Sequence, residues 1–473
     1  MCSRDVYIVL CHTICPCVFQ SHLDLGSSQC DSVSHDTVFT GDTLAVIKVP
    51  NAIILYSYSK IASMELLIPR HSDEPDHLFP EHKYDCCVVG IGRLGLCFAL
   101  SLERVGLRVC GVDVNPDYIK RLNDKSLDSD EPGLQESLKE SINFHATTSL
   151  QLGVQQSKVV FILVPTPTDG GKYYYDHNIL SNVLVQINNL EVTDKTIVIN
   201  STLFPGYIRR IGKTLLQSCS NCSLNYNPAF VAQGDVMSGY RTGGWFGMVL
   251  IGAENEESRN VLCSIYNRIP VSEGGKEVSV CCMSPESAEI CKLASNCFRT
   301  TKISFANMIG DIADRSNGAD KYDICDALKC DRSIGPICMT PGYGFGGPCY
   351  PRDNKALSLY AKSIGISPLI PSATDEYNDF HHNIMTEEQV RLQKEEYEFH
   401  DVTYKPNCAV PMIDKSPKLE VACALAKMGK KVKIVDRFCV ILEVMKEYGD
   451  LFEYETSSSF HEKKVCDNPN GIY

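Results

Sequence analysis

The sequence predicts an α/β chain with a doubly wound parallel sheet first, a region built on one long helix second, and a smaller α/β unit last. Three observations carry this. From Tyr84 onward short apolar runs alternate with helix-period stretches, the pattern of βαβ units. At Ser284 the pattern changes to one long helical period, and after Ser416 an apolar-periodic helix leading into Val432-Lys433-Ile434-Val435-Asp436 restores the alternation.

Residues 1–80 have little periodicity and many Ser, Asp, Cys and His residues, so they are expected to form a poorly ordered extension without assignable chemistry. Order is expected from Tyr84. A strand over 85–89 runs directly into Gly90-Ile91-Gly92-Arg93-Leu94-Gly95; a helix over 96–105 stops at Gly106; a second strand over 107–112 ends at Asp113. A glycine triplet alone says little. Between a strand and a helix, with an acidic residue about 20 positions on, it is a dinucleotide fingerprint of the Rossmann type. Gly90, Gly92 and Gly95 would admit a pyrophosphate to the helix N-terminus, and the Asp113 carboxylate would bond a ribose 2′-hydroxyl. That carboxylate would repel a 2′-phosphate, so NAD is expected rather than NADP.

The alternation continues to about residue 283. A strand over 159–164 leads into Pro165-Thr166-Pro167-Thr168, and one over 196–199 leads into Asn200-Ser201-Thr202. In such sheets ligands gather at the carboxyl ends of strands, so the hydroxyls of Thr166, Thr168, Ser201 and Thr202 are expected to face cofactor and substrate. Taken singly, each is more often just a turn or cap residue. Strands at 224–226 and 249–251 follow, the former leading into Asn227-Pro228-Ala229-Phe230.

Ser284 suits an N-cap and Pro285 the first helical position, so a helix should run from there towards Asn317. Glu289, Lys292 and Asn296 share one face of it, with apolar neighbours that suggest a partly buried site. Downstream, 341–353 holds four glycines and three prolines around Cys349. This must be a tight loop, and Pro351 with Asp353 places Cys349 just before a helix N-terminus, where a thiolate is favoured. The glycines are expected to leave room for a ligand beside the thiol.

Composition narrows the class. A formal charge of −13 over 473 residues argues against nucleic acid or an anionic membrane surface as partner, and no apolar run is long enough to span a membrane. The 24 cysteines are scattered rather than packed into a small scaffold, which fits a reducing, cytoplasmic setting. Cys219-Ser220-Asn221-Cys222 lacks a second ligand pair, so no metal is expected.

Gly90 to Gly95, Pro165-Thr166-Pro167-Thr168, Ser201-Thr202, Asn227-Pro228, the segment Ala288 to Leu293 with Asn296, and Gly344-Phe345-Gly346-Gly347-Pro348-Cys349 with Asp353 occur in the order found in the UDP-glucose/GDP-mannose dehydrogenase family. The chain resembles that family over roughly 84–357, and the Cys-aromatic-x-Arg-Asp ending resembles its UDP-glucose 6-dehydrogenase branch. The resemblance implies an NAD-binding domain at 81–283, a central helical domain at 284–384 through which members dimerise, and a short nucleotide-sugar-binding domain at 385–473. It implies oxidation of a C6 alcohol of a nucleotide sugar to the carboxylate with two NAD reduced. Cys349 would be the nucleophile, Lys292 and Asn296 would hold the oxyanion, and Asp353 would handle water or a proton. Phe345, Gly346, Gly347 and Lys405 would contact the nucleotide sugar.

Two departures open an alternative. The family's Asn-Pro-Glu-Phe reads Asn227-Pro228-Ala229-Phe230, with Gln233 at a second acidic position, and its Arg-Ile-Gly reads Ser333-Ile334-Gly335. A catalytically impaired member that binds NAD and nucleotide sugar in a regulatory or oligomer-partner role is the second reading.

Overall fold

The computed structural model describes residues 37–39, 44–49, 52–57, 78–168, 174–242, 247–269 and 278–457. The chain divides into two units, Met1–Pro75 and Asp76–Tyr473. In the first, β1 (Thr37–Phe39), β2 (Leu44–Val49) and β3 (Ala52–Ser57) form an antiparallel meander. Regular structure was not expected there. The strands follow the runs Leu-Ala-Val-Ile-Lys-Val and Ala-Ile-Ile-Leu-Tyr-Ser, and Val49 pairs with Ala52 across Pro50-Asn51, a turn signal that the polar composition of the segment obscures. The remainder of the expected extension up to residue 77 lies outside the described residues.

The second unit begins with an eight-stranded sheet: β4 (Tyr84–Val89), β5 (Val109–Val112), β6 (Phe144–Thr147), β7 (Ser157–Ile162), β8 (Thr196–Ile199), β9 (Ser223–Tyr226), β10 (Met248–Gly252) and β11 (Ser279–Met283). Their order is β11-β10-β9-β8-β7-β4-β5-β6. Strands β4 to β9 are parallel; β10 meets β9 antiparallel, and β11 continues parallel to β10. Central strands such as β4 and β8 are buried along their whole length, which explains the apolar runs Cys86–Val89 and Ile197–Ile199 within them. The chain leaves β4 towards β5 on one side, and returns through β7 towards β8 on the other. This switch point opens a crevice at the carboxyl ends of β4 and β7.

Helix α1 (Arg93–Arg104) starts in that crevice. Beyond the sheet, α2 (Pro285–Asp314) is capped by Ser284, whose hydroxyl accepts the Ser287 N–H at 3.2 Å. It packs against α3 (Tyr350–Ser363) and α4 (Leu369–Arg391). A last, small parallel sheet, β12 (Tyr397–His400), β13 (Val432–Asp436) and β14 (Glu453–Thr456), carries α5 (Pro417–Lys427) and α6 (Phe438–Tyr448) around a core that includes Tyr397, Leu419, Leu425 and Ile434. Sequence reading puts the first of these strands at 400–403, three residues late. Tyr397 and Phe399 alternate inward, and Asp401 at φ 51° turns the chain out of extended geometry.

Candidate active site

The three fingerprint glycines have different physical reasons. Gly90 sits at φ 86°, and a Cβ there would lie 2.4 Å from the Leu163 carbonyl oxygen; a Cβ on Gly95 would lie 2.0 Å from the Gly90 oxygen. Both are required so that α1 can pack against the strand ends. Gly92, the N-cap of α1, has nothing within 4 Å of its Cβ position. Its open face beside unpaired helix N–H groups fits a pyrophosphate. Asp113 follows β5, its carboxylate accepting the Asn115 N–H at 3.2 Å. The residues present thus fit a dinucleotide.

Of the four threonine and serine hydroxyls expected to face cofactor and substrate, those of Thr166 and Ser201 bond to backbone groups. The Thr166 hydroxyl donates to the Thr202 carbonyl at 3.0 Å, and the Ser201 hydroxyl donates to the Val164 carbonyl at 2.6 Å while accepting the Val164 N–H at 3.0 Å. These bonds tie together the segments after β7 and β8. Thr202 contributes its carbonyl, and Thr168 pairs through its backbone with Tyr175, its side chain exposed.

The predicted cluster itself does come together. Cys349 is the N-cap of α3, and the Asp353 N–H returns to its carbonyl at 2.8 Å. Asp353 is 1% exposed; one carboxylate oxygen accepts from the Tyr175 hydroxyl at 2.6 Å and the other from the Asn296 amide at 2.7 Å. Lys292 is 8% exposed and donates to the Ala229 carbonyl at 2.7 Å, its ammonium 4.4 Å from the centre of the Phe230 ring. Thus α2 contributes Lys292 and Asn296, α3 contributes Cys349 and Asp353, and the segment after β9 contributes Ala229.

Cys349 is open to solvent on one side but closely surrounded on the others, and desolvation there raises its thiol pKa; the Asp353 charge adds to this, while Arg352 and Lys292 oppose it. Desolvation at Cys349 thus works against the pull of the helix N-terminus on its thiol. Burial also lowers the Lys292 pKa, against the pull of Asp353 and Cys349.

The glycine loop is packed more tightly than expected. A Cβ on Gly346 would meet the Lys415 carbonyl at 1.9 Å, and one on Gly347, at φ 79°, would meet the Tyr404 ring at 2.5 Å. These glycines allow close packing of the loop against the segment before α5, rather than space for a ligand. Phe345 is buried with Ile303 and Cys338, its backbone N–H and C=O both held by the Asn378 amide. Asn307 and His381 pin Gly342 from α2 and α4. Lys405 is half-buried, its ammonium 5.8 Å from the Tyr404 ring centre.

Sequence reading missed Tyr175 and Arg352, and it missed Glu131, a buried carboxylate that accepts the Gly234 and Val236 N–H groups and fixes the segment beyond Phe230. Glu289 is on the expected face of α2, but it receives the Gly206 and Ile208 N–H groups at 2.5 and 2.9 Å. Among the described residues no three His, Cys, Asp or Glu side chains converge as a metal site, and no helix is long and apolar enough to cross a membrane.

A switch-point dinucleotide crevice next to a cysteine, lysine, asparagine and aspartate cluster defines a nucleotide-dependent α/β oxidoreductase class. Sequence profiles make this specific: that of the UDP-glucose/GDP-mannose dehydrogenase family NAD binding domain matches residues 84–270, and that of the family's central domain matches 286–380. The chain belongs to the UDP-glucose/GDP-mannose dehydrogenase family, and its cofactor is NAD. It is 29% identical over 301 residues to GDP-mannose 6-dehydrogenase of Pseudomonas savastanoi pv. phaseolicola, covering 60% of this chain and 66% of that protein, just under two thirds of its length. It is 26% identical over 395 residues to UDP-glucose 6-dehydrogenase of Rickettsia bellii, covering 81% of this chain and 87% of that one. Among solved structures, a UDP-glucose dehydrogenase from Pyrobaculum islandicum matches with a TM-score of 0.72 at 26% identity, over 83% of this chain and 88% of that chain.

Proposed function

We propose that the protein oxidises the C6 alcohol of UDP-glucose to the carboxylate, giving UDP-glucuronate, with the catalytic work divided between Cys349, Lys292, Asn296 and Asp353. The observation that supports this best is the convergence of those four side chains from α2 and α3. When bound, NAD supplies a hydride acceptor, used once for each of two two-electron steps. Between those steps the Cys349 sulfur bonds to the aldehyde carbon, the carbonyl π pair moves onto oxygen as an oxyanion, and the thiol proton then passes to that oxygen to give a thiohemiacetal. The Lys292 ammonium and the second amide hydrogen of Asn296 would stabilise the resulting oxyanion. In the last step water adds to the thioester carbonyl carbon, Asp353 takes a water proton, and the carbon–sulfur bond breaks to restore the thiol. The sum is one alcohol, one water and two NAD converted to one carboxylate, two NADH and three protons.

Lys405, at the rim beside Tyr404, and the backbone of the Cys349 loop are assigned to the nucleotide sugar in this reading. A cytoplasmic location is supported by the described cysteines, all of which are free thiols. A homodimer is supported by Phe298, Phe305 and Ile312, which recur every seven residues on α2 and are 68%, 45% and 53% exposed.

One observation favours the impaired alternative: Ala229 places only a carbonyl where a side-chain base would face Lys292. Purified protein with UDP-glucose and NAD, followed at the NADH absorbance band, separates the two. Two NADH per sugar, abolished in Cys349→Ser, supports the dehydrogenase. No NADH from any of a panel of UDP- and GDP-sugars, with NAD binding retained, supports the impaired member.

A further inference from the structure

We infer that Tyr175 is the positioning residue for thioester hydrolysis, through its hold on Asp353. Tyr175 lies 178 residues from Asp353 in sequence and is 2% exposed, yet its hydroxyl donates a 2.6 Å hydrogen bond to one oxygen of that carboxylate. Asn296 occupies the other oxygen. A buried carboxylate with one partner on each oxygen has its rotation fixed, and its lone pairs are directed rather than averaged.

A second contact joins the same two pieces of chain. The Arg352 guanidinium lies 5.0 Å from the centre of the Tyr175 ring, and it donates to the Thr166 carbonyl at 3.2 Å. The first turn of α3 is therefore fastened to the segment after β7 at a ring, a hydroxyl and a carbonyl. Desolvation and the Asp353 charge hold the Tyr175 phenol far above its ordinary pKa, so it remains a donor across the accessible pH range. Ala229 offers no side-chain base, which leaves Asp353 as the carboxylate bonded within the cluster among the described residues.

This inference rests on the dehydrogenase reading and deepens it. In the step it concerns, a water oxygen bonds to the thioester carbon, its proton passes to Asp353, and the carbon–sulfur bond breaks with the electron pair going to Cys349. Without the tyrosine hydroxyl, Asp353 keeps only Asn296 and turns away from the water. Hydrolysis slows while the two oxidations before it do not.

The test is Tyr175→Phe, which keeps the ring under Arg352 and removes one oxygen. Expected are a fall in kcat of about 10- to 100-fold with KM for the sugar nearly unchanged, an NADH burst in the first turnover, and a sugar adduct on Cys349 seen by intact-protein mass spectrometry. NAD affinity, measured in parallel, should match the parent protein, and melting temperature should fall by no more than the loss of one buried hydrogen bond allows. Parental kcat in Tyr175→Phe, or a reduced kcat with neither burst nor adduct, overturns the positioning role and leaves the dehydrogenase standing. A parent protein that makes no NADH and forms no adduct overturns both.

Discussion

At the scale of single residues, glycines that look alike in sequence separate into those the fold needs and those a ligand needs. Gly92→Ala adds a methyl group to open space at an ordinary φ of −61°, so its cost should be no more than that of a poorer N-cap residue, about 1 kcal/mol. The same methyl group stands where a pyrophosphate would approach, so NAD affinity measured by calorimetry should fall about tenfold or more, about 1.4 kcal/mol. Gly347→Ala should do the reverse. Its φ of 79° and the Tyr404 ring at 2.5 Å predict a loss of at least about 1–3 kcal/mol in denaturant unfolding, with the Cys349 loop loosened. If Gly92→Ala keeps the fold and binds NAD as tightly as the parent, no pyrophosphate approaches the open face of Gly92. Ala229→Glu tests the departure from the family: placing a carboxylate next to Lys292 should raise turnover if hydrolysis limits it, and an unchanged kcat removes that explanation.

At the scale of elements, α2 carries a buried acid whose charge is unwelcome. Glu289 is held at the foot of the helix with desolvation raising its pKa to about 7, offset in part by the Ile208 and Gly206 N–H groups. In the unfolded chain the group titrates near its ordinary value of about 4.3. The folded protein therefore binds the proton more tightly, its stabilising contribution is full below about pH 4, and it is lost as pH rises towards 7. Unfolding free energy should decline by about 2–3 kcal/mol across that window. In Glu289→Gln the decline should be absent although the variant starts less stable, because one of the two N–H groups then faces an amide NH₂. A parental slope in that variant would remove Glu289 as its source. This element also shows what sequence can disclose. The cap, the N1 proline and the shared face of Glu289, Lys292 and Asn296 were legible because they depend on helix periodicity alone. The role of Glu289 was not, since its partners at Gly206 and Ile208 are more than 80 positions away. Tyr175 was illegible for the same reason, and the glycine loop was misread because a sequence shows that space is needed but not what fills it. Thr166 and Ser201 were placed at the right strand ends, but their hydroxyls satisfy backbone groups that no local pattern reveals.

At the scale of the whole molecule, the sheet, the helical region and the small C-terminal sheet of the second unit meet at Cys349: the loop that carries it is pinned by Asn307 on α2 and Asn378 on α4, and lies against Tyr404 and Lys415 before α5. Because α2 both lines the site and exposes Phe298, Phe305 and Ile312, association through that stripe would stiffen the helix that presents Lys292 and Asn296. Burying three such side chains against a second copy contributes about 1.5–3 kcal/mol each before ordering costs. One charge in the stripe should be enough to disrupt pairing. Phe298→Glu, with a polar side chain in place of one that is 68% exposed, should leave the monomer fold intact by circular dichroism and shift the mass by light scattering from dimer to monomer. Turnover should fall with the loss of pairing and recover at high protein concentration. A Phe298→Glu variant that remains dimeric would place the interface on another surface. A parent protein that is monomeric at all concentrations would mean that this stripe meets no second copy, and that the rigidity of α2 comes from α3 and α4 alone.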